Sequence, residues 1–248
     1  VTDLYPDLRN TTPPLPPPSS AMAIGAHPDD AEFGAGGTLA AWAAAGCRVT
    51  LLIVTDGSKG TWDPDADPGA LAAAREAEAR AAGAELGAAD VRFLGHIDGE
   101  LEYSMALRAE VCEQIRLVRP DVVLSHDPWQ RYQLHPDHRA TGLAAVDGVV
   151  SARDPLFFPD QGLAHHRPSA LLLWSADEPN HWEDISSSIE SKVAALLEHV
   201  SQGTTTMGGA EEGEAARSAF EDKITERAAT VGSPMGLAAA EAFRRITP

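Results

Sequence analysis

The feature that most narrows the fold is a repeated exchange between two kinds of apolar segment. Short aliphatic runs at 21–26, 49–54, 91–94, 122–125 and 170–174 alternate with longer helical stretches. The run at 49–54 is continuous rather than alternating, as in a strand buried on both faces. Between the runs, the pattern predicts helices over 38–45 before Gly46, over 70–86 before Gly87, and over 105–118 before Pro120. Another helix is predicted to begin at Pro136, since proline suits a first helical turn, and two more near 187–199 and 211–229. Strands that alternate with helices imply βαβ units and a mainly parallel sheet of the α/β class. A single domain over 21–248 is expected, preceded by a proline-rich arm over 1–20 that can be neither helix nor good strand. The Gly- and Thr-rich stretch at 202–213 reads as a mobile loop.

Open parallel sheets bind ligands beyond the carboxyl ends of their strands. The polar clusters of this chain fall there: 27–30, 55–59, 96–102 and 126–138 follow four successive strands. His27-Pro28-Asp29-Asp30 and His135-Pro136-Asp137-His138 carry the most chemistry. Adjacent residues at a strand end diverge, so Asp29 and Asp30 should serve different partners. His27 and Asp30 are three apart and can turn onto one centre, as can His135 and His138. A His/Asp/His set with an open position suits a catalytic metal such as zinc, which acidifies water. A free carboxylate beside it can act as general base, and a histidine outside the ligand set can meet a developing oxyanion if a carboxylate orients it. Spacing alone leaves open which histidine is the ligand. Either cluster by itself reads equally well as a turn with a helix-capping aspartate. Two of them on one rim are hard to ascribe to coincidence.

Composition excludes several alternatives. The formal net charge of -18 argues against nucleic acid or an anionic membrane as the main partner. The two cysteines, Cys47 and Cys112, form no CxxC pair and read as small buried hydrophobes. No apolar run approaches a membrane span, and no charged-then-apolar signal opens the chain, so a cytoplasmic location is expected. The glycines Gly34, Gly36 and Gly37 do not have the GxGxxG spacing, which disfavours a nicotinamide-dependent oxidoreductase and points to close helix packing.

The motifs AHPDDAEFGAGGTLA (26–40), VTDGSKGTW (54–62), REAEARAAGAELG (75–87), FLGHIDGEL (93–101), RPDVVLSHDP (119–128) and HPDHRATG (135–142) resemble the LmbE-like, or PIG-L, family of metal-dependent N-deacetylases. That family includes N-acetylglucosaminyl-phosphatidylinositol deacetylases and the deacetylases of mycothiol and bacillithiol synthesis. The resemblance spans about 21–150. It implies a Rossmann-like three-layer sandwich and hydrolysis of an N-acetyl group from an amino sugar or sugar conjugate, usually with one zinc per chain, with iron or manganese as alternatives. By position, His27, Asp30 and His138 are the implied metal ligands and Asp29 the general base. His135 is implied to stabilise the oxyanion and protonate the amine, with Asp137 orienting it. Family members often form trimers or hexamers, so a homo-oligomer is an expectation too.

Four residues are weaker candidates for substrate binding. Arg75 matches an arginine that lies near the sugar in the family. Asp98, at a strand end, can hydrogen-bond sugar hydroxyls, although Asp-Gly is also a plain turn signal. Arg131 and Tyr132 precede the second cluster, where some relatives carry an oxyanion-supporting tyrosine, but here the position two before His135 is Gln133. His96, His126, His165, His166, His181 and His199 receive no role. The competing readings are an amidase for a larger thiol-conjugate or natural-product amide, and a non-catalytic sugar-binding protein. The second should have lost Asp29 or a ligand, and all are present.

Overall fold

A computed structural model describes residues 11–248. The first ten residues of the expected arm lie outside the described residues. The strands are β1 (Ser20–Gly25), β2 (Arg48–Thr55), β3 (Asp90–His96), β4 (Val122–His126), β5 (Ala170–Trp174), β6 (His181–Asp184) and β7 (Ala240–Ile246). The helices are α1 (Asp30–Ala44), α2 (Pro68–Glu85), α3 (Met105–Val118), α4 (Pro136–Arg153), α5 (Ile189–Leu197) and α6 (Glu214–Gly232). One seven-stranded sheet runs in the order β3-β2-β1-β4-β5-β7-β6. The first five of these pair in parallel, and β7 lies antiparallel to both β5 and β6.

Helices cover both faces because successive residues of each central strand point to opposite sides. Ala21, Ala23, Leu51 and Leu124 pack with Ala35 and Leu39 of α1, Ala82 of α2 and Ala195 of α5. Met22, Ile24, Leu52 and Val123 pack with Val111 and Ile115 of α3 and Ala144 and Val149 of α4. The α/β three-layer expectation holds. Local capping agrees with it: Asp67 accepts the Ala70 N–H ahead of Pro68, and Ser104 accepts that of Leu107.

Two differences from the sequence reading bear on function. Helix α1 begins at Asp30, eight residues before the predicted start, so Asp30 belongs to its first turn. The glycines masked this, since Gly34, Gly36 and Gly37 lower helix propensity. They are there for contact: a Cβ on Gly34 would lie 2.5 Å from Trp174 Cδ2, and one on Gly37 2.7 Å from Ile185 Cβ. Gly34→Ala should therefore cost about 1–3 kcal/mol in urea unfolding; an unchanged midpoint would show that the indole can yield. The strands β6 and β7 were not anticipated. Their sequences, HWED and AEAFRRI, lack a long aliphatic run, as expected for charged strands near a sheet edge.

The described part of the arm lies against that edge. Thr12 bridges to His181, its N–H bonding Asn180 O at 2.7 Å, and Leu15 N–H donates to Glu183 at 2.9 Å. No helix among the described residues is long and apolar enough to cross a membrane.

Candidate active site

The chain reverses its direction of winding between β1 and β4, which lie side by side at the centre of the sheet. A crevice forms beyond the carboxyl ends of such a pair. His27, Asp29 and Asp30 follow β1, His126 ends β4, and His135, Asp137 and His138 stand at the start of α4. A cavity of about 720 Å³ opens above them, lined also by Arg75, Asp98, Gln130, Gln133, Trp174 and Thr205.

His27 stands at the middle. Its Nδ1 lies 3.3 Å from Asp30 Oδ2 and 3.2 Å from His138 Nε2, and His138 Nε2 lies 3.3 Å from Asp30 Oδ1. Tetrahedral donors about 2.0–2.1 Å from a zinc ion would stand roughly 3.3 Å apart. The three groups have zinc donor types and pairwise approaches of that order, His27 meeting one Asp30 oxygen and His138 the other; His135 and His126 also lie within ligand reach of the same centre. His27 Nε2, on the other side of the ring, faces Asp98 Oδ1 at 3.2 Å and Asp137 Oδ2 at 3.3 Å. Burial works against protonation of His27, but Asp137, Asp30 and Asp98 together push its pKa up to about 12. A divalent ion at the centre would take the place of the Nδ1 proton, while Nε2–H stays tied to Asp98 and Asp137, the arrangement of a metal-ligating histidine.

His126 was given no role by the sequence, yet it holds Asp30. The Trp174 indole N–H donates to His126 Nδ1 at 3.1 Å, and His126 Nε2 lies 3.1 Å from Asp30 Oδ2. The Ala26 N–H donates to the same Nε2 at 3.3 Å, so the ring is held from three sides. Burial lowers the His126 pKa against the pull of Asp30. Burial would raise the Asp30 carboxyl, but His126 and His138 hold it well below the usual range. The available signal was position: His126 sits at the carboxyl end of a central strand.

Asp29 lines the same cavity but makes none of the contacts around His27 Nδ1. It has φ 103° and ψ -23°, a conformation rare for any residue with a Cβ. That turn separates its carboxylate from that of its neighbour Asp30, as the sequence required. Asp29 lies 3.6 Å from Arg75, which is only 3% exposed. Arg75 donates to Pro28 O at 2.6 Å and Gly57 O at 3.1 Å. Burial raises the Asp29 pKa to about 6, with Arg75 lowering it and Asp30 raising it.

Several expectations need correction. Asp137, expected to orient His135, also holds His27: its Oδ2 accepts from Gly99 N–H at 2.7 Å and lies 3.3 Å from His27 Nε2. Asp137 Oδ1 and His135 Nδ1 are both buried without a hydrogen-bond partner. Asp98 lines the cavity, but its oxygens are engaged by His27 and by Lys59 N–H, so it braces the histidine. Arg131 and Tyr132 do not line the cavity at all. Tyr132 is 87% exposed with φ 62°, and this left-handed turn sends Gln130 and Gln133 inward in their place. Tyr132→Ala should accordingly leave kcat/KM within about twofold of the parent; a tenfold fall would restore the tyrosine to the site. The Gly- and Thr-rich stretch that follows His199 contributes to one wall of the cavity. Gln202 is buried and donates to Gly60 O at 3.0 Å, while Thr205 and Thr206 line the cavity.

His135 lines the cavity with its ring stacked on His138, centroids 4.7 Å apart. Burial lowers its pKa, with His27 and His138 acting in the same direction.

Comparison with known proteins bears on this arrangement. Residues 22–149 match the family model described as GlcNAc-PI de-N-acetylase, PIG-L. The chain is 36% identical to a diacetylchitobiose deacetylase of Thermococcus kodakarensis, over 73% of this chain and 69% of that one. It is 35% identical to a 1D-myo-inositol 2-acetamido-2-deoxy-alpha-D-glucopyranoside deacetylase of Kineococcus radiotolerans, over 56% of this chain and 49% of that protein. It thus spans only about half the length of that relative. Among solved structures, the N,N'-diacetylchitobiose deacetylase of Pyrococcus horikoshii superposes with a TM-score of 0.84 at 31% identity, covering 98% of this chain and 88% of that one.

Proposed function

Because the chain belongs to the GlcNAc-PI de-N-acetylase (PIG-L) family, we propose that it hydrolyses the N-acetyl group of an amino sugar or amino-sugar conjugate. The observation that carries the reading is the placement of Asp29. A buried carboxylate, paired with Arg75 and outside the donor set, lines the same cavity as His27, Asp30 and His138, whose nitrogens and carboxylate oxygens approach within 3.2–3.3 Å of one another. The domain proposed to do this runs from 21 to 248.

His27 Nδ1, Asp30 and His138 Nε2 would hold one divalent metal, with zinc the best match to their chemistry. Bound there, the metal supplies Lewis acidity and makes water acidic enough to attack near neutral pH. Asp98 and Asp137 fix the His27 ring and His126 fixes Asp30, so the donors are set before substrate arrives.

Asp29 accepts the proton of the water as its oxygen bonds to the acetyl carbonyl carbon. His135 is neutral near pH 7 and donates a ring N–H to the carbonyl oxygen as negative charge grows there. The C–N bond then breaks, and the amine nitrogen leaves with the proton that Asp29 took. The products are acetate and the free amino sugar. Arg75, with its guanidinium tied to two carbonyls, holds Asp29 in place.

The test is amine release from a panel of N-acetylated amino sugars and conjugates, with zinc present and after chelation. Turnover of at least one panel member, lost on chelation and regained with metal, is the expected result. Full activity in metal-free protein would overturn the ligand assignment. Binding of a panel member without any turnover would favour a sugar-binding role.

A further inference from the structure

The cavity above the donor groups continues into a second one of about 300 Å³, bounded by α6 and β7. Phe33, Gly34, Gln130, Ser175 and Arg227 line both. These shared residues form a neck between the chamber that holds the donor groups and a side chamber large enough for a further chemical group.

Three residues of the neck present hydrogen-bond donors that nothing in the described chain answers. Gln130 Oε1 accepts from Gln133 Nε2 at 2.8 Å, which leaves the NH2 group of the same Gln130 amide without a partner. The Ser175 hydroxyl makes no hydrogen bond among the described residues, and Ser175 has φ 60°, a left-handed turn uncommon for a residue with a Cβ. Arg227 makes no hydrogen bond or ion pair among the described residues. Its neighbours three and four positions away on α6 are Lys223, Ile224, Thr230 and Val231, so the helix supplies it with no acid. The other fixed cations of the first cavity are committed, Arg75 to Asp29 and two carbonyls and Lys59 to Glu100 at 2.7 Å. The acids of the side chamber are engaged as well. Glu241 is paired with Lys192 and accepts the Gly37 and Thr38 N–H groups, and Asp177 Oδ2 accepts Arg131 N–H at 2.6 Å. An exposed arginine alone is an ordinary surface residue. In a chain of net charge -18, an unopposed guanidinium beside two further unanswered donors, where two cavities meet, has the chemistry of an oxyanion receptor.

We propose that the neck selects amino sugars that carry an oxyanion, carboxylate or phosphate, in the group attached at C1, with Arg227 as the specificity-determining residue. The acetamide is on C2 of such a sugar and the conjugated group on C1, so both fall within one cavity when the amide stands at the donor groups. The planar guanidinium offers a carboxylate or phosphate two parallel N–H bonds, and the Gln130 amide and Ser175 hydroxyl add neutral donors. No bond forms or breaks at the neck. Its contribution is to binding, felt before and in the transition state alike. The proposal rests on the deacetylase reading and adds to it the chemistry of the conjugated group.

Three substrates test it: methyl N-acetylglucosaminide, its carboxymethyl counterpart, which differs by a carboxylate, and N-acetylglucosamine 1-phosphate. With zinc-loaded protein, kcat/KM should favour at least one anionic member over the methyl glycoside by about tenfold, mostly through KM. Whichever anion is preferred identifies the group that the neck takes. The preference should shrink as salt rises. Arg227→Gln should lose most of it, and Arg227→Lys, which keeps the charge without the fork, should keep part. Equal kcat/KM on all three, a preference for the methyl glycoside, or a preference unchanged in Arg227→Gln overturns the proposal while the deacetylase assignment stands. Calorimetry with the corresponding free amines reads the same preference without turnover. Arg227-dependent binding of an anionic member with no turnover of any member would uphold the neck as an anion site and point instead to failure of the deacetylase assignment.

Discussion

Asp29→Ala is expected to lose about 10²–10⁴-fold in kcat while binding metal as the parent does. The carboxylate is not among the groups that converge on His27 Nδ1. It faces the cavity beside Arg75, so its removal takes away proton acceptance without removing a donor. The same carboxyl sets an acid limit. Its pKa is raised to about 6, chiefly by burial, so the rate should fall as pH drops through about 6 and the carboxylate takes up its proton. A rate that stays flat through that range, or near-normal turnover in Asp29→Ala, would remove Asp29 from the reaction. Stability should move the other way. A carboxyl whose pKa is raised in the folded state contributes stability that is complete below its unfolded value of 3.8. That contribution is lost as pH rises through about 6. Asp29→Asn, which cannot ionise, should therefore gain on the metal-free parent as pH rises across that window. Chemical denaturation at the two ends of the window measures the difference. An unfavourable φ of 103° and a buried acid at one residue are the kind of local cost that a reacting group imposes on its fold.

The second large effect is expected at His138. Its Nε2 stands 3.2 Å from His27 Nδ1 and 3.3 Å from Asp30 Oδ1, so His138→Ala takes one corner from the donor triangle. Partners outside a metal's own ligand set typically contribute about 10–100-fold in affinity, and a direct ligand should exceed that. His138→Ala should thus emerge from dialysis without metal and without activity. His126→Gln is the matched comparison. It keeps the triangle but loses the ring that the Trp174 indole aims at Asp30, and a loss of about 10–100-fold in affinity is expected. Metal content and titration calorimetry read both. Equal affinity in His138→Ala and the parent would exclude His138 as a ligand.

Much of the layout was legible from local pattern. The strands at 122–126 and 170–174 and the helices from 105 and 136 appear where the apolar runs and the prolines Pro120 and Pro136 put them, because those signals act within a few residues. The edge strands β6 and β7 carried no such signal. Their pairing depends on β5 and on a return of the chain across the sheet. Tyr132 shows the same limit in the site. One left-handed residue decides whether a tyrosine enters the cavity, and nothing in the run Gln130 to Leu134 declares it.

What the sequence determined by itself is the chemistry of the rim. Two clusters with residues three apart, at strand ends of a parallel sheet, place imidazoles and carboxylates together, since strand ends and first helical turns have fixed directions. What only the tertiary structure decided is which groups answer which. Asp137 came to hold His27, His126 and Trp174 came to support Asp30, and Arg75 of α2 and His199, just after α5, came to meet the acids at the start of α1. Those pairings join residues tens of positions apart, and burial gives them their strength by excluding water from charges that local sequence would leave solvated.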